Sequence, residues 1–584
     1  MSVRRALLAV AQGQAAPDAA VTGGTVADVY AGEWVRANVE IARGRIAYVG
    51  PRVPRRGPDT VEIDATGRVV VPGYVEPHAH PWVLYSALGL LEAAVPDGTT
   101  AIVLDSLFQF RALGAAGHRR IVEALRSAPA NVWWNVRAAS QSRFPEEPET
   151  FTREAFEEQL AWPEVALSGE ITRWGDVAGG DPHLLAAIAA AHAWRRRAEG
   201  HAAGASYERL AALSAAGISA DHEAITAQEA RRRIGLGMWT MLRQSSLRPD
   251  LRAILDGLGP VVSTSRRLML TTDGATPAHY ARHGVLSGAL AIAVAAGVDP
   301  MRALQMATID PATFLGLDEE IGGIAPGRRA SLLLLEDRDA FRPRAVLVDG
   351  RLVARGGRLL EPVPALDWDA LGCRAPFAEP ERFADPALYA TPADRGATLD
   401  VMAYESAVIT RRARVTLPAR DGRADVSAEP GLLHAALVDR RGAWIAHGLV
   451  SGLMPDLDGL ATSLTTSMEL LVLGRDPRAM ARAAARVAEL HGGIALAGPD
   501  GVRWEARLPV LGMMNAGGLA EAVRIEQELA HHASAAGYPF HDVLYSLLFA
   551  TGDFLPELRL TPIGLLEVKS GAVLAPPVAL RDAR

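Results

Sequence analysis

Residues 71–82 read VPGYVEPHAHPW. An apolar β-type run is interrupted by Pro72 and Gly73, resumes for a few residues, and ends in two histidines two positions apart, His78 and His80. Alternate side chains of a strand share a face, so both imidazoles point to the same side at the strand's carboxyl end. That is a metal-site geometry. It becomes a site only if other parts of the chain deliver further ligands to the same place.

Between residues 73 and 315, short apolar strands alternate with longer Ala/Leu-rich helical stretches. The strand candidates are VVVPGYVEP, TTAIVLD, NVWWNV, VALSGEI, RRAEGHA, GISADHE, GMWTMLRQ and RRLMLTTD. Helices are expected over 110–127, 181–195, 206–216 and 279–297. Eight strand–helix units over roughly 240 residues match a (β/α)8 barrel, typically about 250 residues long. Spacing alone leaves a doubly wound open sheet as the competing architecture.

In a barrel the carboxyl ends of all strands share the face where an active site forms. The first strand ends in His78 and His80, the fourth in Glu170, the fifth in His201, the sixth in His222 and the eighth in Asp273. Four imidazoles and two carboxylates suffice for two divalent ions, with Glu170 as the bridge. Asp273 can bind one ion and also take a proton from water. Asp273 and Glu170 are thus the candidate catalytic groups. A histidine at a single strand end is more often a packed polar residue than a ligand; matching chemistry on five strands argues otherwise. Trp82 and Trp174 read as walls for a planar substrate, and Arg243 and Gln244, ending strand seven, as substrate contacts. Glu223 would point away in an ideal strand, and His279 and His283 read as surface residues of the following helix.

Flanking this region, ANVEIARGRIAYVG reads as a hairpin turning at Gly44, and IGGIAPGRRASLLLLEDRDAFRPRAVLVDGRLVARGG returns to short strands after the barrel. The expected architecture is α/β: a (β/α)8 TIM-like barrel (73–315) inserted in a small β-sandwich-like domain (1–72 and 316–361). A Pro/Ala/Asp-rich linker (362–400) leads to a C-terminal α+β domain (401–584), with helices near 476–490 and 516–536. The formal net charge of −7 gives no reason to expect nucleic acid or an anionic membrane as partner. Cys373 is the single cysteine, which excludes an intrachain disulfide and thiolate clusters. The opening MSVRRALLAVAQGQ is broken by Gln12 and Gln14, too short for a signal h-region. No stretch approaches the roughly 18–20 apolar residues of a membrane span, so a cytoplasmic location is expected.

VPGYVEPHAH, GEITRW, EGHAAGASYERLAALSAAGISADHE, LTTDG and MATIDPATFLGL with the later GGIAPGRRASLLLLED resemble the adenine deaminases of the amidohydrolase superfamily. FLPELRLTPIGLLEV resembles the closing segment of the same family. The resemblance implies a hydrolase of cyclic-amidine C–N bonds holding two divalent ions, manganese or iron before zinc. Metal-bound hydroxide would replace the amino group of adenine, or of a related amino-heterocycle, giving hypoxanthine and ammonia in the case of adenine. It implies His78, His80, Glu170, His201, His222 and Asp273 as metal ligands, a small heterocyclic substrate and, by analogy, a homo-oligomer.

The chain also departs from that family. Pro81, Trp82 and Val83 stand where Glu-Ser-Ser is usual, Gly274, Ala275 and Thr276 follow Asp273 in place of Asp-Arg-His, and Arg243, Gln244 and Ser245 replace Arg-Glu-Gly. TSLTTSMEL, at 462–470, replaces Ala-His-Asp-Ser-His-Asn, leaving Thr465, Thr466 and Met468 at polar positions. If the last domain caps the barrel mouth, this segment is expected to line the pocket. A binuclear-metal hydrolase of a cyclic or N-acyl amide is the alternative function, and a catalytically silent binding protein the third.

Overall fold

The computed structural model describes residues 2–583; Met1 and Arg584, at the outer limits of the first and last expected segments, lie outside the described residues. Eight strands form one parallel sheet: β1 (Tyr74–Ala79), β2 (Thr99–Asp105), β3 (Asn131–Val136), β4 (Val165–Ile171), β5 (Arg197–Gly200), β6 (Ile218–Asp221), β7 (Trp239–Arg243) and β8 (Leu268–Thr271). They pair strictly in chain order, which is a barrel's order and not that of a doubly wound sheet. The first and last strands meet through side chains. Thr271 Oγ1 lies 2.5 Å from the Glu76 carboxylate, to which it donates, and 3.0 Å from His78 O, and Thr272 N and Oγ1 donate to the same carboxylate at 2.9 and 2.8 Å. Val75, Val103, Trp133, Leu167, Met241 and Met269 share one buried cluster with Phe314. Phe314 belongs to Ile309–Leu315, a helix cut from the MATIDPATFLGL stretch, and lies 5.7 Å from the Trp239 ring.

Local chemistry places the barrel helices. Leu107–Ala124, Pro182–Ala193 and Tyr207–Ala215 occupy three expected positions. Asp181 caps the second by accepting Leu184 N, with Pro182 in the first turn, and Ser206 caps the third by accepting Arg209 N. The single helix expected over 279–297 is instead two, Pro277–His283 and Ser287–Ala295. The break is at Gly284 (φ +78°), where the Asp97 carboxylate accepts Val285 N (2.8 Å), Ser287 N (3.1 Å) and Ser287 Oγ (2.5 Å). A helical period cannot reveal a buried carboxylate brought in from nearly 190 positions away.

Burial pushes Asp97 up to about 6 although those donors favour its charge. Its folded pKa therefore lies above the unfolded value of about 3.9. The resulting stabilisation is complete below pH 4 and lost as pH rises through 6. Asp97→Asn is expected to flatten this dependence, gaining about 3 kcal/mol relative to the parent between pH 4 and 7. Urea midpoints at the two pH values measure it, and parallel pH profiles for the two proteins would contradict it.

Strands before and after the barrel complete one another. Val69–Pro72 pairs antiparallel with Leu332–Leu335 inside a seven-stranded sheet, which faces a four-stranded sheet built from residues 19–64. Val21, Val39, Ile41 and Ile46 of the smaller sheet share a core with Val70, Leu332, Leu334 and Leu347 of the larger. Beyond residue 398 the chain forms a nine-stranded sheet covered by the helix Pro477–Glu489. Phe383, Leu388 and Tyr389, from the Pro/Ala/Asp-rich stretch, are fully buried in the core under that helix. The helix Leu519–Ala535 packs on Pro277–His283 and so ties this last region to the barrel. Among the described residues no helix is long and apolar enough to cross a membrane.

Candidate metal centre

The six residues singled out at strand ends come together. His78 lies in β1 and His80 just past it; Glu170 lies in β4; His201 and His222 each follow β5 and β6 by one residue, and Asp273 follows β8 by two. The chain turns sharply at Asp273 (φ +54°) and Gly274 (φ +74°). Gly274 is needed there, since a Cβ would fall 2.7 Å from His80 Cβ. His78 Nε2 stands 3.1 Å from His80 Nε2, and Asp273 Oδ1 is 3.1 and 3.2 Å from these two nitrogens. Glu170 Oε2 approaches His80 Nε2 at 3.6 Å, while its Oε1 faces His222 Nε2 (3.2 Å) and contacts His201 Nδ1. Glu170 thus offers one oxygen to each of two donor groups. Three overlapping trios among these residues each have their donor atoms within 4.8 Å of one another.

A buried layer behind them sets the ring orientations. Glu199, fully buried, receives His78 Nδ1 and His222 Nδ1 on its two oxygens, both at 3.0 Å. Asp105 receives His80 Nδ1 at 2.9 Å and is clasped by Arg137. Arg137 also donates to Glu170 O (2.6 Å) and Glu170 Oε2 (2.9 Å). Burial opposes the Asp105 charge, but Arg137 and His80 outweigh it and hold the carboxyl well below its usual range.

The donor set suits cations. Carboxylates on the Nδ1–H of His78, His80 and His222 leave each Nε2 as a bare lone pair. Those nitrogens face each other and the oxygens of Glu170 and Asp273 at about hydrogen-bond distance. Such a set of converging imidazole nitrogens and carboxylate oxygens is complementary to divalent metal.

A cavity of about 490 Å³ opens over the cluster, within the range usual for small-molecule sites. Trp82 lines it, its ring 4.6 Å from that of His80, and so does Arg243, which pairs with Asp273 and, at 2.6 Å, with Glu223 Oε1. Two other expected contacts do not reach it. Trp174 opens the short helix Trp174–Gly179, half-buried against the protein core. Gln244 continues the β7–β8 ladder through its backbone (Gln244 N to Thr271 O, 3.0 Å), and its side chain stays out of the lining. Glu223 is the reverse case. The loop past β6 turns it inward against the strand alternation, and although burial opposes its charge, Arg243 brings its carboxyl down to about 2. His283 is exposed and His279 half-buried beside it, both away from this cavity.

Sequence reasoning missed the far wall. Ala407, Val408 and Ile409, with Phe549, Phe554 and Leu555, come from beyond residue 400 and make it apolar. Phe554 stands edge-on to the His201 ring at 5.2 Å. Segment 462–470 does not line the cavity but supports that wall from behind, Thr466 Oγ1 bonding Thr551 Oγ1 at 2.9 Å. Gln141 and Arg248 were also unforeseen; their only sequence signal is a polar residue in a loop following a strand.

Residues 69–353 match the family model described as Amidohydrolase family, and residues 407–572 that described as Adenine deaminase C-terminal domain. An adenine deaminase of Moorella thermoacetica is 32% identical over 97% of this chain and 96% of its own. A protein of Halalkalibacterium halodurans, provisionally named an adenine deaminase, is 32% identical over 98% of this chain and 97% of its own. Among solved structures, a dihydropyrimidinase from Brevibacillus agri is 15% identical, with a TM-score of 0.46 over 59% of this chain and 96% of the other.

Proposed function

Because this chain belongs to the adenine deaminase family of the amidohydrolases, whose members hold divalent metal ions, we propose that it deaminates adenine to hypoxanthine and ammonia. The observation that carries the reading is Glu170, whose two oxygens divide between the His80 side and the His201–His222 pair. In this reading His78, His80 and Asp273 would hold one metal ion and His201 and His222 the other, with Glu170 available to both. Two such ions, when bound, supply Lewis acidity and lower the pKa of water; manganese or iron is the favoured pair, zinc the alternative.

The chain's own groups do the rest. Asp273, positioned by Arg243, takes one proton of the attacking water and delivers it to the ring nitrogen. It then passes the second proton, from the hydroxyl now on the ring carbon, to the amine, which departs as ammonia. Trp82 and the apolar wall around Phe554 clamp the faces of a planar ring and exclude water. Gln141, Glu223 and Arg248 present donors and acceptors to its edge, where mismatched partners reject a wrong heterocycle. Amidohydrolases that bridge their metals through a carbamylated lysine open amides, but Lys569 is the only lysine here and is exposed in the C-terminal region. That weighs against the amide-hydrolase alternative.

Protein loaded in turn with manganese, iron(II) and zinc is expected to release ammonia from adenine, and chelation to abolish release until metal is restored. Two metals per chain with no ammonia from adenine, N6-substituted adenines, aminopterins, cytosine or guanine would overturn the assignment while leaving the metal centre standing.

A further inference from the structure

A second cavity, of about 390 Å³, lies where the helix after β2, the loop after β3 and the C-terminal sheet meet. It is lined by Arg111, Arg374, Arg440 and Arg441, in a chain whose net charge is −7. The Arg440 residue is only 8% exposed, yet among the described residues its guanidinium has no hydrogen-bond acceptor, and the charges of Glu469 and Asp439 reach it only at longer range. Arg111 is scarcely better served. Its closest acceptors are Thr466 O at 3.4 Å and Glu469 Oε1 at 4.0 Å, and it lies 4.1 Å over the Phe144 ring. Burial pulls its pKa down to about 10.

The carboxylates at this cavity also hold backbone N–H groups. Asp439 accepts Arg441 N (3.1 Å) and Ala443 N (2.9 Å) in a turn. Glu469 Oε2 accepts Arg440 N at 2.9 Å, and Glu146 is exposed. Four guanidinium groups thus share the cavity with three carboxylates, Glu146, Asp439 and Glu469, of which Glu469 is the principal counter-charge to both Arg111 and Arg440. The side-chain donors of Arg440 are left without an acceptor, which an entering anion would supply. The guanidinium fork matches phosphate oxygens in pairs, and four such groups suit a dianion better than a monoanion. The space exceeds what a free phosphate fills, and Phe144 and Trp444 give it aromatic walls.

We propose that this cavity is a binding site for a phosphate-bearing small molecule, its phosphate held by Arg111 and Arg440 and its organic body against Phe144 and Trp444. The site is separate from the metal centre, although one loop serves both, with Gln141 in the first cavity and Phe144 in the second.

The test is calorimetric titration of the full metal-loaded chain with inorganic phosphate, AMP and adenosine at constant ionic strength, alongside thermal melts. One phosphate-bearing ligand is expected to bind per chain and raise Tm. Its binding should weaken at least tenfold in Arg440→Gln and Arg111→Gln and persist in Asp273→Asn, which separates this site from phosphate on the metals. AMP binding tenfold tighter than phosphate would mark an ester as the ligand, and equal binding would mark free phosphate. No binding of either phosphate compound, or binding unchanged in both arginine variants, overturns the proposal.

Discussion

Asp273→Asn is expected to lower kcat for deamination by about three orders of magnitude while most of the metal stays bound, the range a positioned general acid–base contributes. The asparagine keeps the shape of the side chain and leaves five other candidate ligands untouched. What it lacks is the charge that Arg243 and the Nε2 atoms of His78 and His80 surround and the basic oxygen that accepts a proton. Metal per chain and ammonia release, measured on the same preparation, separate the two effects. Retained metal with turnover near the parent level would remove Asp273 from the proton path; loss of metal and turnover in proportion would make it a ligand alone.

Arg137→Met should give the largest loss of stability, about 3–5 kcal/mol, as is usual when one partner of a buried ion pair is deleted. Arg137 has no exposed side-chain surface, and its two partners, Asp105 and Glu170, are buried nearly as completely. Its removal strands two carboxylates in the core. Because Asp105 orients His80, metal affinity should fall by about 10- to 100-fold as well, the usual range for groups that support metal ligands. Urea midpoints of metal-saturated protein report the first effect and chelator competition the second. The exposed pair Arg252–Asp256, within one helix, provides the contrast: deleting it should change stability by less than about 1 kcal/mol. Equal effects at the two positions would mean that burial does not govern the Arg137 cluster.

The barrel was legible because its signal is local. Strand and helix periods, Asp181 and Ser206 as caps and the recurrence of polar residues where strands stop are all written within a few positions of one another. The same rule carried the six residues of the candidate metal centre: a side chain at the carboxyl end of a barrel strand faces the common mouth whichever strand it ends. The rule failed where backbone direction changes. Glu223 follows His222 directly and should face away, but the chain has left β6 by then and both enter the site. Trp174, four residues past Glu170, has already turned into a helix and packs on the core.

By itself, the sequence determined the α/β class, the eight strand segments and which imidazoles and carboxylates stand at their ends, because periodicity and strand-end position are short-range properties. The order in which the strands pair was decided only in the tertiary structure. Tertiary structure alone decided that Glu199 joins His78 to His222 across 121 and 23 positions. It also decided that Phe554 closes over His201 and that Arg111 and Arg440 share one cavity. These contacts depend on where separately folded layers come to rest against one another. Packing between distant segments leaves no period in the chain from which it can be read.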